Sequence, residues 1–590
     1  MDVCYIYYMK KIILLLLSTL CLISVVNAKS INDSKIVPPD SQVYKDFLEL
    51  QKAERILAFT NNTPISVSEL KFYLEQFDSE SLSGYSAALY QKIYDYLYEK
   101  ENLFNIPGFE LAAHLSMNLE GYYKTTDDIP WSFNYHFKDN LISIPLDVGF
   151  GNCFAMGADF FLGKNYIAAA DNENFWNVPV NVNNISDDGL LEFNFPTFAY
   201  ASIGKSFNNW GVNFQIGKQG KNIYQTLTGS IIYNNTFETD AYVEFDIYTR
   251  AVKFTMDVVQ VSSNRMDNIQ MDNTERYLYL HQFDIRPFKN FKVSLLEGSL
   301  VANPFSLRFL NPIPFMHQFG GWTNYISEEN EDIYRETNFC ADFAFMFEYI
   351  PVSNLRLYGI YNQIELQLPW ERNNSWGRYY PNTIGLQLGA DYSLIFSDFS
   401  KLKIEAEYIY NSPYMYIKQT PSASLYRVRM DMQTHENVYS WIGSPYGPDC
   451  MGGELKLTYD RNTKWKVELG YAFIAKGEHD FSIFERTVYD PDSDAEYYNY
   501  YPSVIYKLQE DEISDKEYTN DQLYDMAMDF GMSGVKQYNN IINLKASYEI
   551  NEHFELTGQI QYNYIINNLH IENKNDAGLE VDLAVTYNIF

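Results

Sequence analysis

From Leu111 to the C-terminus, apolar residues recur at every second position in runs of about nine to eleven residues, the length a tilted membrane strand needs. Leu111, Ala113, Leu115, Met117 and Leu119 alternate with Ala112, His114, Ser116, Asn118 and Glu120. Trp131, Phe133, Tyr135 and Phe137 alternate with Ser132, Asn134, His136 and Lys138. The same period returns in Trp210-Val212-Phe214-Ile216, Phe339 to Tyr349, Trp465 to Phe473, Phe554 to Tyr562 and Leu579 to Tyr587. A period of two places alternate side chains on opposite faces of a strand, so each run has one apolar and one polar face. The runs are joined alternately by short turns and long connections. Lys138 to Asn140, Phe207 to Asn209, Pro287 to Asn290, Pro351 to Asn354, Ser397 to Ser400, Asp460 to Thr463 and Asn551-Glu552 are short; 262–275, 300–336, 367–381, 412–452 and 476–537 are long. Outer-membrane barrels have short periplasmic turns and long extracellular loops, so the alternation predicts both the fold and its orientation, with about 18 to 20 strands. A soluble sandwich or solenoid also alternates, but strand length and the paired loop lengths disfavour it. Phe343 is expected to face lipid and to reject arginine, whereas Asp342, on the opposite phase, is expected to tolerate it. The last strand puts apolar residues at odd positions while Phe590 is even, which requires a bulge.

Composition agrees. The chain has 51 Tyr, 40 Phe and 8 Trp, 17% aromatic, on a mildly hydrophilic average. A soluble core of this size would not hold so many rings, whereas barrels carry them as girdles at both lipid-water interfaces. The net charge of −32 argues against binding nucleic acid and against docking on anionic lipid surfaces.

The first 28 residues read as a secretory signal. Lys10-Lys11 precede an apolar run to Val26, and Val26-Asn27-Ala28 suits a signal peptidase, with Met9 an alternative start. An uncleaved anchor is the rival reading; Cys21 as a lipidation site is disfavoured by Leu20 before it. No other stretch is apolar enough to span a membrane as a helix. Residues 29–106 change period and predict a short α-helical periplasmic segment. Pro39-Asp40-Ser41 opens one helix, with Tyr44, Phe47, Leu48 and Ala53 on a face. Ser66 and Glu69 form a capping box for a second, with Leu70, Tyr73, Leu74 and Phe77; Leu89, Ile93, Tyr96 and Leu97 mark a third. These helices are expected at the periplasmic mouth. The segment is too short and too helical for a transporter's plug domain.

Cys153, Cys340 and Cys450 remain after the signal, an odd and widely spaced set that makes no disulfide framework and no metal pair. There is no GxSxG, HExxH or phosphate-binding glycine loop, and the eight His residues are scattered, so no enzyme and no cofactor is expected. His114 and His136 read as lumen-facing polar residues. Asp490, Asp492, Asp494 and Glu496 have calcium-ligand spacing, but Ala495 and Tyr501 stand where a calcium loop needs Gly and Glu, which favours a solvated acidic loop. The loop aromatics are more informative. Trp370, Arg372, Trp376, Arg378, Tyr379 and Tyr380 cluster between two strands, and Tyr414, Tyr416, Tyr439, Trp441 and Tyr446 populate the next long loop. Flat rings stack on sugars and guanidinium forks match carboxylates, so Trp370, Arg372, Trp376, Arg378, Tyr379, Tyr380 and Trp441 are candidate carbohydrate ligands. The alternatives are an interfacial girdle and loop tips packed on themselves.

Pro38-Pro39-Asp40-Ser41-Gln42-Val43-Tyr44, Leu48, Leu50 and Pro64-Ile65-Ser66 resemble the N-terminal segment of the Wzi-like capsule assembly proteins. Phe195 to Tyr200, Ile216-Gly217-Lys218, Gly229-Ser230, Tyr277 to His281 with Leu296-Glu297, and Phe309 to Pro312 resemble that family's middle. The sequence departs where the family carries Gly-Arg and Trp-Gly, having Gly217-Lys218 and Tyr224-Gln225. The resemblance implies a large outer-membrane barrel with a small periplasmic helical part, acting as a surface lectin for capsular polysaccharide. The expectation is therefore an all-β membrane protein: a closed antiparallel transmembrane β-barrel over residues 107–590, of about 18 strands. Its expected partners are outer-membrane lipids, the outer-membrane assembly machinery and surface polysaccharide, with no nucleic acid. A porin for small solutes is the competing function, and an outer-membrane lipase ranks below both.

Overall fold

The computed structural model describes residues 32–588 apart from 39–40, 99–103, 107, 127, 130–140, 164–174, 177–191, 235–239, 262–274, 303, 311–338, 367–380, 419–422, 431–436, 462–463, 482–486, 491–494, 499–524, 526–527 and 552. The expected signal peptide, the Trp131 to Phe137 run, Pro39-Asp40 and Phe590 lie outside the described residues.

Eighteen barrel strands are present among the described residues. The first, β1, has two segments, Phe109–Ala113 and Ser116–Lys124, broken at His114 and Leu115. There follow β2 Ile142–Phe150, β3 Phe154–Gly163, β4 Glu192–Ser206, β5 Trp210–Lys218, β6 Ala241–Thr249 and β7 Val252–Val261. Next come β8 Arg276–Phe288, β9 Phe291–Val301, β10 Phe339–Val352, β11 Leu355–Glu365, β12 Thr383–Ile395 and β13 Lys401–Asn411. The last are β14 Cys450–Arg461, β15 Trp465–Lys476, β16 Gln537–Asn551, β17 Phe554–Ile566 and β18 Asp576–Asn588. Each pairs antiparallel with the next, and β18 closes on β1 from Glu580↔Lys124 to Asn588↔Ser116. Closure leaves no row of unpaired backbone groups facing lipid, the condition for a sheet to cross a membrane.

The alternation sorts as the sequence predicts. On β10, Cys340, Asp342, Ala344, Met346 and Glu348 are buried while Phe343, Phe345 and Tyr349 are exposed on the outer wall. Phe214, Ile216, Leu388, Leu455, Leu469, Leu544, Ile560 and Leu583 continue the outer apolar band around the barrel. Asp342 corrects one expectation. Its phase is lumenal, yet it is fully buried, and its Cβ lies 3.1 Å from where a side chain on Gly298 would begin. The lumen is filled at that position, so arginine does not fit there.

The short connections fall at one end of the barrel, including two not singled out in the sequence, Arg250-Ala251 and residues 151–153. Lys138 to Asn140 lies outside the described residues. His114 sits in the break within β1 and is exposed.

Three helices, α1 Gln42–Glu54, α2 Val67–Leu74 and α3 Gly84–Tyr98, form a cap before the barrel. Tyr44, Phe47 and Leu50 of α1, Leu70, Tyr73 and Leu74 of α2, and Leu89, Ile93 and Leu97 of α3 share one core at helical spacing. Ser66 caps α2 by accepting the Glu69 N–H at 3.3 Å. The Glu69 carboxylate does not close the capping box. It pairs instead with Lys253 of β7 at 2.8 Å, so the cap residue also docks the helix to the wall. Backbone bonds from Leu57 to Lys289 and from Asn354 to Lys52, with the Asn32 amide on Gly151 and Phe154, hold the cap in the short-turn end.

Candidate functional site

The polar phase of the strands makes a lumen rich in charge, and the chain's own segments occupy much of it. Residues 219–234, after β5, do not stay at the rim. Lys221 anchors the start between Glu244 and Asp257, 3.0 Å from the latter, with its ammonium 4.9 Å from the Tyr242 ring centroid. Burial works against this charge, but the two carboxylates outweigh it and raise the Lys221 pKa. Asn222-Ile223 then pair with Asn62-Thr63 of the cap. The segment crosses to the opposite wall, where Arg356 of β11 donates to the Gln225 carbonyl at 2.9 Å. There the Leu227 and Thr228 N–H groups donate to Glu407 of β13, at 2.8 and 3.1 Å. It returns past Gln387 and Asn362, and Tyr233 bridges back to Ile223. We call this segment the strap.

The outer end of the strap meets the connection between β13 and β14. There Tyr426–Met430 pairs with Asn437–Trp441 as a hairpin. Arg427, fully buried, donates to Asp240 at 2.5 Å and to the Asn234 carbonyl at 2.7 Å, and lies over the Tyr233 ring. Burial alone would lower the Arg427 pKa; Asp240 reverses this and raises it. The Tyr416 hydroxyl donates to the Ile231 carbonyl at 2.7 Å, and the Asn234 N–H to the Ile442 carbonyl at 3.0 Å. Cap, strap and hairpin thus form one hydrogen-bonded body from the short-turn end to the long-loop end. Ile223, Tyr224, Ile231, Tyr233, Met415, Tyr416, Tyr426 and Trp441 make its apolar core with the β8 to β13 wall.

Beside this body a cavity of about 540 Å³ remains along β13 to β17, bounded by α1 and by strap residues Gln225, Thr226 and Leu227. Its wall carries both signs of charge: Lys403 lies 2.6 Å from Glu405, and Lys456 lies 3.3 Å from Glu468. On the α1 side, Lys52 bridges Glu49 at 2.9 Å and Asp391 at 2.5 Å. Burial pushes the Glu49 carboxyl up, but Lys52, Lys401 and Lys403 more than offset that and hold it at about 2.

Of the seven candidate carbohydrate ligands, Trp441 is among the described residues. Trp370, Arg372, Trp376, Arg378, Tyr379 and Tyr380 lie outside the described residues. Trp441 is buried, stacked on Phe481 at 4.2 Å and 10° and beside Tyr416 at 6.1 Å, so both ring neighbours are protein. Of its loop companions, Tyr416 is fully buried and Tyr414, Tyr439 and Tyr446 pack against the same core, the self-packed alternative for this loop. Asp490 and Glu496 fall on opposite strands of a short hairpin, with Asp492 and Asp494 outside the described residues. Cys153, Cys340 and Cys450 are buried, and among the described residues none is in a disulfide. The strap was not found from the sequence. Its signals were the mixed polar and aromatic run Lys221 to Asn234 without a period of two, and Gly229-Ser230 within it.

No protein-family model and no curated protein sequence matches this chain. Among solved structures, its fold is similar to Wzi of Escherichia coli, an outer-membrane protein involved in group 1 capsule assembly and a carbohydrate-binding β-barrel. The TM-score is 0.52 at 12% identity, over 93% of this chain and 99% of that one. OprD of Pseudomonas aeruginosa and OccAB4 of Acinetobacter baumannii match at TM-scores of 0.37, with 9% and 10% identity, over 81% of this chain. What the likeness to Wzi carries is the fold, an outer-membrane-type β-barrel.

Proposed function

We propose that this chain is a non-enzymatic protein of the bacterial outer membrane that holds surface polysaccharide at its long-loop face. In this reading residues 1–28 are removed on export, residues 29–106 form the periplasmic cap, and the outer apolar band meets membrane lipid after insertion by the assembly machinery. The observation that carries it is the filled lumen. Cap, strap and hairpin are bonded into one body across the barrel, which supports a blocked lumen over a general porin's open water path and the exposed loops as the working surface. The fold shared with Wzi, which binds carbohydrate, supports the same reading. Trp370 and Trp376 are the proposed stacking platforms, with Arg372 and Arg378 pairing acidic sugars and Tyr379 and Tyr380 beside them. Trp441 serves in holding the hairpin under that surface.

The test is binding of the cell's own surface polysaccharide to purified, folded protein, alongside conductance in planar bilayers. Saturable binding that falls in the Trp370→Ala/Trp376→Ala double variant, with quiet bilayers, is expected. Steady open-channel conductance without glycan binding hands the function to the porin reading; binding unaffected by the double variant moves the site elsewhere.

A further inference from the structure

The middle of the strap is held differently from its ends. At the ends, Asn222-Ile223 pair with the cap, and the buried Arg427 donates to the Asn234 carbonyl. In the middle, one carboxylate gathers most of the donors, beside Arg356 on the Gln225 carbonyl and Gln387 on the Gly229 carbonyl. Glu407 accepts the Leu227 N–H at 2.8 Å, the Thr228 N–H at 3.1 Å, the Gln387 amide at 2.8 Å, and the Thr228 and Tyr358 hydroxyls. Three of those five donors belong to the strap, and Glu407 has no ion pair among the described residues. Hydrogen bonds from neutral donors to a carboxylate can be exchanged for bonds to water once water reaches both partners. Thr226, within the held stretch, is not satisfied: its hydroxyl is buried without a hydrogen-bond partner among the described residues.

Water lies close at hand. Gln225, Thr226 and Leu227 are also the wall of the 540 Å³ cavity. The cavity's other wall carries Lys403, Glu405, Lys456 and Glu468, whose side chains keep 16 to 30% of their surface. A purely structural packing region gains little from partly solvated charges of both signs, whereas such a lining suits ions and polar solutes that keep their hydration.

We propose that the strap is a removable seal, and that the cavity behind it is the vestibule of a pathway for small hydrated ions and polar solutes, closed at rest by the contacts of Leu227 and Thr228 with Glu407. Release of the middle of the strap joins the cavity to the rest of the lumen while both ends stay pinned. The inference is independent of whether the loops bind glycan.

The experiment uses the full-length protein in planar bilayers filled with potassium chloride. Wild type is expected to be quiet and Glu407→Ala to show discrete openings. A polar maleimide should label the Thr228→Cys single variant slowly and the same site rapidly when Glu407→Ala is added. Folding is checked by heat-modifiable gel mobility; if Glu407→Ala does not fold, Glu407→Gln, which keeps the side chain's size and removes the charge that gathers the strap donors, takes its place. A folded latch variant whose strap labels rapidly but which stays silent overturns the pathway. Slow labelling overturns the latch. Glycan binding is read on the same preparations: its absence from wild type refutes the surface-holding function and leaves the strap result standing.

Discussion

Replacing Ile560 with arginine places a guanidinium on the outer wall at the centre of β17, a 13-residue strand. At about 3.3 Å per residue and a tilt of about 40°, such a strand rises roughly 33 Å, so its central residue lies near the bilayer midplane. Ile560 is 47% exposed and faces outward. Arginine at that depth costs about 2–4 kcal/mol, a shift of roughly 30- to 1,000-fold in the folding equilibrium. Gln559, one residue earlier, faces inward, and its amide donates to Asn543 at 3.0 Å. Gln559→Arg loses one neutral hydrogen bond worth about 1 kcal/mol and leaves its charge inside the barrel beside Asp582, the cross-strand neighbour. The assay is urea unfolding in phospholipid vesicles, read by gel mobility, for both variants against wild type. Equal costs, or a larger cost at Gln559, would refute the assignment of the two faces and with it the membrane barrel.

Arg427→Met leaves the Asp240 carboxylate buried without its cation and should cost about 3–5 kcal/mol, seen as faster proteolysis within 412–449; adding Asp240→Asn should restore most of the protection. Glu49, held at about 2 by Lys52, Lys401 and Lys403, stabilises cap docking above pH about 4.5, and that contribution fades as the pH falls towards 2. Glu49→Gln should therefore expose the cap to protease at pH 7, by on the order of 3 kcal/mol, and match wild type at pH 2; a pH-independent difference would contradict this. Epitope tags in the 477–536 loop should be antibody-accessible on intact cells and a tag at Ser353 should not; the reverse pattern would invert the barrel.

How far the sequence could be read follows from which interactions are local. Strand phase is local: Phe343 outside and Asp342 inside follow from a period of two. The caps are local too, and Ser66 starts α2 as its spacing predicts, with Leu89, Ile93 and Leu97 buried in α3. Glu69 shows the limit. Its position three residues after Ser66 signals a capping box, but its carboxylate is claimed by Lys253, 184 residues away, which no local pattern encodes. The strap is the larger case. Leu227 and Thr228 acquire their meaning from Glu407 across the barrel, so alternation, which fixes only which face points inward, leaves open whether the lumen is filled. For the same reason Asp342 read as a roomy position and is a packed one. Trp441 looked like a sugar platform because an aromatic in a polar loop has two uses, and Phe481, 40 positions away, decides between them.

The central claim is that the loops hold polysaccharide on the cell surface. It is tested most directly by deleting the gene and measuring the fraction of surface polysaccharide retained on washed cells against the fraction shed into the medium. The account predicts unchanged total polysaccharide with a larger share in the medium, reversed by the wild-type gene and not by the Trp370→Ala/Trp376→Ala variant. An unchanged retained share, with slower uptake of a small solute in its place, would contradict it.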